Sequence, residues 1–490
     1  MATFNGNFHY TGTKGNQQQG PCRIEFDKET FTISSGAGPA LSFDLGDIDG
    51  IVGERHQLRL RLYTGAVLLL DQLGSSYDNL VRELTAAHRE REVQCLLLAD
   101  MPEIARFYGH FERTTTGTHC PSCGAAGVSG KFCRHCGTPL PSQSESSSIE
   151  SCPSCGTPGQ TGHFCRECGH ALSSDTVAPP SSGEAEIRLY KSNVAILPER
   201  SSGFQLRLED VKHVRHDASS YDVWVDLENE SLKCSALGKR TAEFAEKLNQ
   251  TWSELQAVSA QALHLAFPFL NPDQLQQVVT LLPEGSSARV QKLKAIDARI
   301  EPALVANAVD KDLAPYYQEL LARSDGAAVY AGLKLIRPED EVAGAAVESN
   351  SDPEGCSQAP DADHNGPDVL YWFFFPIASG GDRTPNVVAW EASSRGGRAT
   401  YFFRLASSGG GSLDKSIWQL NRGLAALNFR RRPIYLSDIQ LSMNPLFRRY
   451  AIAARRIPEL RAVRASFLGR AIHGTIEGWK EQVAEILNTA

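Results

Sequence analysis

The sequence predicts a multidomain α+β protein. Two small β-barrel or β-sheet-plus-helix repeats flank a pair of four-cysteine segments, and a C-terminal α+β domain with an antiparallel sheet follows. Three observations carry this reading. Four Cys-x-x-Cys pairs fall between positions 120 and 168. Apolar positions on either side of them repeat at a nearly constant offset. Residues 328–405 hold four strand-like runs set between helical patterns. A length of 490 residues is several domains' worth of chain.

Bulk composition narrows the class. With 41% apolar and 22% charged residues the chain reads as globular. No apolar run approaches the ~20 residues that a membrane helix needs, so no membrane span is expected. The first residues, MATFNGNFHYTG, have neither a basic stretch nor an apolar core, which points to a cytoplasmic location. The net charge of -8 argues against a chain coated along its length by nucleic acid. Eight of the twelve cysteines sit in the Cys-x-x-Cys pairs, which in a reducing compartment read as metal ligands. Cys22, Cys95, Cys234 and Cys356 are expected to be free thiols, mostly in small apolar sites.

The first motif is Cys120-Pro-Ser-Cys123-Gly followed, nine residues on, by Cys133-Arg-His-Cys136-Gly. The second is Cys152-Pro-Ser-Cys155-Gly followed at the same spacing by Cys165-Arg-Glu-Cys168-Gly. Each knuckle puts two thiolates on one side of a tight turn, and two facing knuckles close a tetrahedral cage of the structural zinc type. Gly124, Gly137, Gly156 and Gly169 let the backbone turn back, so that amide N–H groups can point at sulfur. Phe132 and Phe164 precede the third cysteine of each copy and supply its small core. A redox dithiol would occur singly at a helix start, and iron–sulfur clusters use other spacings. His119, His135, His163 and His170 are spare, since four cysteines already complete each site. Residues 120–168 thus resemble the double zinc ribbon of many bacterial and archaeal proteins, which implies two structural zinc ions. Arg113, Lys131 and Arg134 give the first copy little charge, and Arg166 is cancelled by Glu167 in the second. Ribbons so weakly basic read as protein-docking knobs or spacers rather than as phosphate binders.

Around the ribbons, Ile24, Phe26, Phe31 and Ile33 fall against Ile187, Leu189, Val194 and Ile196. Leu41, Phe43, Leu45, Asp47, Ile48 and Ile51 fall against Phe204, Leu206, Leu208, Asp210, Val211 and Val214. One residue of slippage later, Leu73-Gly74, Leu80 and Leu84 match Leu237-Gly238, Phe244 and Leu248. Within each copy, alternating runs such as Leu58-Arg-Leu60-Arg-Leu62 mark half-buried strands, about six in all. An amphipathic helix closes each copy, at 75–98 and at 241–263. The layout resembles a pleckstrin-homology-like split barrel. Many such domains bind phosphoinositides through a basic first hairpin loop. That loop is read here as Asp27-Lys28-Glu29 and Tyr190-Lys191-Ser192, neither of which cradles phosphate, so protein or peptide binding is expected instead. The expected boundaries are 1–98 for the first repeat, 113–140 and 152–172 for the ribbons, and 185–263 for the second repeat, with Ser/Pro-rich linkers at 141–151 and 173–184.

The C-terminal domain is expected at 264–490. Pro272 suits a helix start, and Leu275, Val278, Val279 and Leu282, then Val290, Leu293, Ile296 and Ile300, form two core-facing stripes. Strands at 328–336, 370–377, 386–392 and 399–405 make an antiparallel sheet, with Arg395-Gly396-Gly397-Arg398 as a hairpin turn. Between the first two lies 338–368, with nine acidic residues and no lysine or arginine, expected to be disordered. Tyr371, Trp372, Phe373, Phe374, Phe375, Trp390, Tyr401, Phe402 and Phe403 lie on the sheet. Covering helices at 413–429 and from 434 to the end bury these rings on the expected reading; bare, they would stack nucleic-acid bases. Between positions 422 and 470 stand eleven arginines against Asp438 and Glu459. Of these, Arg430, Arg431, Arg432, Arg448, Arg449, Arg455 and Arg456 form a candidate surface for an anionic partner. The bland alternative is a helix face paired with acidic neighbours.

No phosphate loop, dinucleotide fingerprint, Gly-x-Ser-x-Gly elbow or His-Glu-x-x-His motif occurs. His110, His364 and His473 are isolated. The expected function is a zinc-binding, non-enzymatic cytoplasmic adaptor whose ribbons and repeats bind proteins. The alternative is a regulatory factor that binds nucleic acid through the arginine-rich helices.

Overall fold

The computed structural model describes residues 2–115, 149–151, 158–160, 182–336, 369–380, 384–393, 399–405 and 413–489, apart from positions 14, 37, 228, 229, 325 and 446. The chain divides into two compact units. One comprises Met1–Glu92 and Glu103–Gln250; the other comprises Val93–Pro102 and Thr251–Ala490.

The first unit opens with seven antiparallel strands: β1 (Ala2–Thr11), β2 (Gln17–Phe26), β3 (Thr30–Ser35), β4 (Leu41–Asp44), β5 (Ile48–Glu54), β6 (Gln57–Leu62) and β7 (Val67–Asp71). They lie in the order β4-β3-β2-β1-β7-β6-β5, so β1 joins two meanders and β5 is an edge strand. The alternation read in the sequence is the alternation of faces. Leu58, Leu60 and Leu62 of β6 are buried while Gln57, Arg59 and Arg61 are exposed. Helix α1 (Tyr77–Cys95) lays Leu80 and Leu84 into the same core as Ile24, Phe31 and Leu68.

The second module repeats this plan. Its strands are β8 (Glu103–Thr115), then β11 (Ser182–Tyr190), β12 (Asn193–Pro198), β13 (Phe204–Arg207), β14 (His213–Asp217), β15 (Asp222–Asp226) and β16 (Glu230–Ser235). Their order, β13-β12-β11-β8-β16-β15-β14, is the first order with the strands renumbered. Helix α2 (Thr241–Ala266) follows, burying Phe244 and Leu248 where α1 buries Leu80 and Leu84. Even the short 3-10 turns recur, at Leu45–Asp47 and Leu208–Asp210 and at Gly74–Ser76 and Gly238–Arg240. Gly74 and Gly238 take φ of 54° and 62°, left-handed values that favour glycine, at the turn into each helix. Each module therefore has seven strands, where the sequence suggested about six.

The strand β8 corrects the expected boundary at 185. It pairs with β11 on one side and β16 on the other, as β1 pairs with β2 and β7. Phe107 and Phe111 face Ile187 and Gly183 just as Phe4 and Phe8 face Ile24 and Gly20. The offset between modules is thus 103 before this hairpin and 163 after it, so the second hairpin is 60 residues longer. The hairpin loop of the first module is residues 12–16; that of the second is 116–181 and contains all eight cysteines of the Cys-x-x-Cys pairs. The cysteine-bearing segment is therefore an insertion inside the second module, and the interval 113–140 expected for the first ribbon overlaps the end of β8. Asp27-Lys28-Glu29 and Tyr190-Lys191-Ser192 belong to the second hairpin of each sheet, not the first. Within the insertion, β9 (Ile149–Ser151) and β10 (Pro158–Gln160) pair antiparallel.

In the second unit six antiparallel strands lie in the order β17 (Ser287–Arg289), β18 (Tyr330–Leu335), β19 (Val369–Ile377), β20 (Val387–Ser393), β21 (Ala399–Arg404) and β22 (Phe467–Ile472). The four expected strands are present, and two short ones seal the edges. β22 lies within the stretch expected to be helical to the end, where the run Phe-Leu-Gly-Arg-Ala-Ile completes the ladder beside β21.

Along β19 the side chains part alternately to two cores. Tyr371, Phe373 and Phe375 join α3 (Pro272–Leu281), α4 (Val290–Ile296), α5 (Ile300–Ala308), α6 (Ala314–Arg323) and the C-terminal end of α2. Trp372 and Phe374 join a layer made of α7 (Leu413–Ala426), α8 (Arg432–Tyr435), α9 (Asp438–Met443), α10 (Arg448–Arg456) and α11 (Pro458–Ser466). The last helix, α12 (Ile476–Thr489), puts Trp479 into the first core. All nine aromatic rings of the sheet are buried, so the covered reading holds and base stacking is excluded. Pro272 opens α3 behind a capping box in which Asn271 and Gln274 satisfy each other's backbone N–H groups. The acidic stretch 338–368 and the turn at 395–398 lie outside the described residues.

Trp372 marks the tightest point of this packing. A methyl group on Gly332 of β18 would lie 2.2 Å from the Trp372 ring. Because Trp372 is fully buried and its Nε1–H donates to Asn421 at 3.1 Å, it has no room to retreat. Gly332→Ala should therefore destabilise the second unit by about 1–3 kcal/mol. Urea unfolding followed by tryptophan fluorescence measures the loss; an unchanged midpoint would contradict this packing.

Candidate functional site

The first unit carries a charged stretch, His88-Arg89-Glu90-Arg91-Glu92, in the last turns of α1, of which Glu90 alone is exposed. His88, Arg91 and Glu92 are buried. Arg91 clamps Asp44 with two parallel bonds, Nε to Oδ1 at 2.8 Å and Nη2 to Oδ2 at 2.6 Å. The His88 ring donates from Nε2 to the Ile48 carbonyl at 3.0 Å. Glu92 Oε1 accepts the Gly203 N–H of the second module at 2.8 Å. Arg89 reaches Glu186 of β11 at 3.2 Å, and Arg188 of β11 reaches back to Glu90 at 2.7 Å. Removing these charges from water is costly, and close pairing offsets the cost.

A second set of contacts fixes the turn after β12 against the edge of the first sheet. Ser202 donates to Asp49 Oδ1 at 2.5 Å, Tyr63 donates to Ser202 at 2.8 Å, and Arg61 holds the other Asp49 oxygen at 2.5 Å. The Arg200 carbonyl comes so close to Gly50 that a Cβ there would lie 2.6 Å from it. Glycine is required at this point by the approach of backbone, not by a turn.

Between the two lines of contact the modules leave a cleft of about 710 Å³. Ile51, Val52 and Gly53 of β5 and Tyr77, Val81 and Thr85 of α1 line one side, and Arg106 and Tyr108 of β8 with Glu186 and Arg188 of β11 line the other. Arg188 is 2% exposed and bonds Glu186, also 2% exposed, at 2.5 Å. Burial pulls the Arg188 guanidinium down, but Glu90 and Glu186 outweigh it and hold the pKa above the ordinary value. Partial burial likewise pushes Glu90 up, while the hydrogen bond and charge of Arg188, with Arg106, bring its carboxyl below the ordinary 4.5. Arg106 is raised by its hydrogen bond to Glu103, against burial. Burial and Glu186 raise the Tyr108 phenol.

The eight expected zinc ligands, Cys120, Cys123, Cys133, Cys136, Cys152, Cys155, Cys165 and Cys168, lie outside the described residues. Among the described residues no group of three or more His, Cys, Asp or Glu side chains is placed to hold a metal ion. Cys22, Cys95 and Cys234 are free and buried, as expected; Cys356 lies outside the described residues. Burial, with help from Asp71, pushes the Cys22 thiol to about 11, and burial alone pushes Cys234 to about 12.

The seven candidate arginines fall on or beside α8 and α10; Arg448 and Arg455 are exposed, while others are tied into the second unit. Arg430 donates to the Tyr450 hydroxyl, Arg431 to the Ala392 carbonyl at 3.3 Å, and Arg449 to Asp100 at 2.5 Å. Arg456 is buried, and Arg432, Arg448, Arg455 and Arg456 also have bonding or electrostatic partners. Nearby, Arg464 bonds the Leu436 carbonyl at 2.8 Å and Asp438 at 2.7 Å.

The sequence reading missed the cleft because half of it stands on β8. The signal was present as Phe4-Asn-Gly6-Asn-Phe8 and Phe107-Tyr-Gly109-His-Phe111. Both central glycines face the leucine that precedes the helix, and a Cβ on either would lie 2.7 Å from Leu73 or Leu237. Also missed was a buried cluster in the second unit. His473 lies 3.2 Å from Glu391 and 3.0 Å from the Thr400 hydroxyl, with the Tyr316 ring stacked on it.

Arg188→Ala should cost the first unit about 3–5 kcal/mol, since it leaves Glu186 buried beside fewer cations. Equilibrium denaturation checks the magnitude. The sign of the pH effect follows from Glu90. Its pKa is lowered in the folded chain, so its contribution is complete above the ordinary 4.5 and is lost as pH falls through the folded value. The wild type should therefore lose stability on acidification below 4.5, and Arg188→Met should lose it less steeply.

No protein-family model and no curated protein matches the chain. Among solved structures, the pleckstrin homology (PH) domain of USP37 is 17% identical, with 18% of this chain and 98% of that chain covered and a TM-score of 0.16. The Inner Membrane Complex (IMC) sub-compartment protein 3 (ISP3) of Toxoplasma gondii is 14% identical over 18% of this chain and 75% of that chain, with a TM-score of 0.14. These are partial likenesses, and the account of each module rests on its own strand order and closing helix. Among the described residues no helix is long and apolar enough to cross a membrane.

Proposed function

We propose that this chain is a zinc-binding, non-enzymatic cytoplasmic adaptor. Its ribbon segment presents two zinc-organised knobs to protein partners, and its tandem PH-like modules form the base. One observation carries the reading: all eight ribbon cysteines fall in the loop of a single hairpin, β8–β11, whose strands pair residue by residue up to Glu112 and Ser182. A long insertion at the end of a rigid hairpin extends a binding surface without disturbing the sheet beneath it.

The chemistry of the donor set supports zinc. Four thiolates per copy complete a closed tetrahedral site, and so small a segment has too little apolar surface to fold without metal. β9 and β10 pair antiparallel on either side of residues 152–157, the interval that contains Cys152 and Cys155. The nucleic-acid reading through Arg430, Arg431, Arg432, Arg448, Arg449, Arg455 and Arg456 gains no such support, because Arg430, Arg431 and Arg449 bond residues of their own unit and Arg456 is buried.

Metal analysis of the purified chain should find two zinc ions, since the two four-cysteine sets are separate. Cys133→Ser should remove the first ion and leave the second, because Cys133 belongs to the first set alone. Affinity capture from nuclease-treated cytoplasm should retain protein partners that Cys133→Ser and Cys165→Ser each weaken. Capture abolished by nuclease would move the function to nucleic acid.

A further inference from the structure

The inter-module cleft has features that the docking of two modules does not require. Five arginines line it against three glutamates. Arg188 absorbs Glu90 and Glu186, and Arg106 holds Glu103 through bonds of 3.0 and 2.9 Å. Arg82 and Arg200 are exposed on the cleft and have no carboxylate partner among the described residues. Arg89, which lies over the Tyr108 ring, keeps its Nε buried with no hydrogen-bond partner. The cleft therefore presents guanidinium groups in surplus over its carboxylates, with Arg89 held by Glu186 and Arg82 and Arg200 left open to a carboxylate, a surface suited to carboxylates.

Its backbone wall is equally specific. β5 is the edge of its sheet and pairs only with β6. The second module covers this edge at Asp49 and Gly50 through Ser202 and Arg200. Beyond them, Ile51, Val52 and Gly53 line the cleft, where no described strand pairs with their outer side. An edge strand directs alternate N–H and C=O groups outward, and an extended chain can satisfy them. Arginines alone would suit any anion, whereas an unpaired edge beside them selects a polypeptide.

We propose that the cleft binds an acidic, extended segment of a partner protein. The segment adds alongside β5 at Ile51, Val52 and Gly53 and places carboxylates against Arg82, Arg89 and Arg200. This deepens the adaptor reading by naming a partner surface, but it does not depend on the ribbons.

The test uses the full-length, zinc-loaded chain and a fluorescein-labelled decapeptide of alternating glutamate and valine. Anisotropy titration at low salt should show saturable binding that weakens as salt rises. Arg82→Glu with Arg200→Glu should weaken it by at least about ten-fold, as reversing charges in a polar interface does. Arg59→Glu, exposed on β6 and absent from the cleft lining, should leave it within about two-fold. A peptide N-methylated at alternate residues keeps its charge but loses strand pairing, and it should bind at least about ten-fold more weakly. Cys133→Ser should keep peptide binding while losing zinc, so failure here and failure of the ribbon reading remain distinguishable. Absence of saturable binding, equal binding by the double variant, or equal binding of the N-methylated peptide would each overturn the proposal. So would competition by anionic vesicles or duplex DNA with no effect of the double variant.

Discussion

The first unit depends on a run of paired charge at the end of α1, most of it withdrawn from water. The end of α1 carries His88, Arg89, Glu90, Arg91 and Glu92, and each is committed to a partner that an apolar residue would not replace. Arg91 ties the helix to its own sheet through Asp44, while Glu92, Arg89 and Glu90 tie it to the second module through Gly203, Glu186 and Arg188. Such pairs contribute less to net stability than to orientation, because desolvation consumes much of what attraction supplies. Orientation is what the cleft needs, since its two walls belong to different modules.

Duplication explains why the second module tolerates so large an insertion. In the first module the β1–β2 hairpin closes over residues 12–16. In the second, the equivalent strands pair in the same register although 116–181 separate them. Loop-closure entropy grows only slowly with length, so a well-paired hairpin can carry a long loop. Phe107 and Phe111 are buried as Phe4 and Phe8 are.

Much of the core was legible in the sequence. Ile24, Leu45 and Leu84 are buried with their partners Ile187, Leu208 and Leu248, because a repeated apolar position repeats its burial. The alternating aromatics of β19 gave the sheet of the second unit, and its helices cover both faces. What escaped had a physical reason in each case. β8 was missed because the insertion broke the offset that revealed the repeat, leaving only the Phe-x-Gly-x-Phe signature. The charge pairing at the end of α1 escaped because sequence alone does not show which charges meet. β17 and β22 are three and six residues long and are strands only because a neighbour's ladder holds them. The arginine run read as a surface because the bonds made by Arg430, Arg431 and Arg449 reach residues remote in sequence.

All eight Cys-x-x-Cys cysteines lie between β8 and β11, in a segment inserted into a module whose seven-stranded sheet is complete without it. The direct measurement replaces residues 115–179 with the equivalent five residues 12–16 of the first module, which keeps the β8–β11 register, and follows thermal unfolding and zinc content together. The account predicts a chain that binds no zinc and still unfolds cooperatively near the wild-type temperature, with Tyr108 and Arg188 still lining the cleft. Loss of cooperative unfolding would mean that the ribbon segment is part of the module's own framework, and would contradict it.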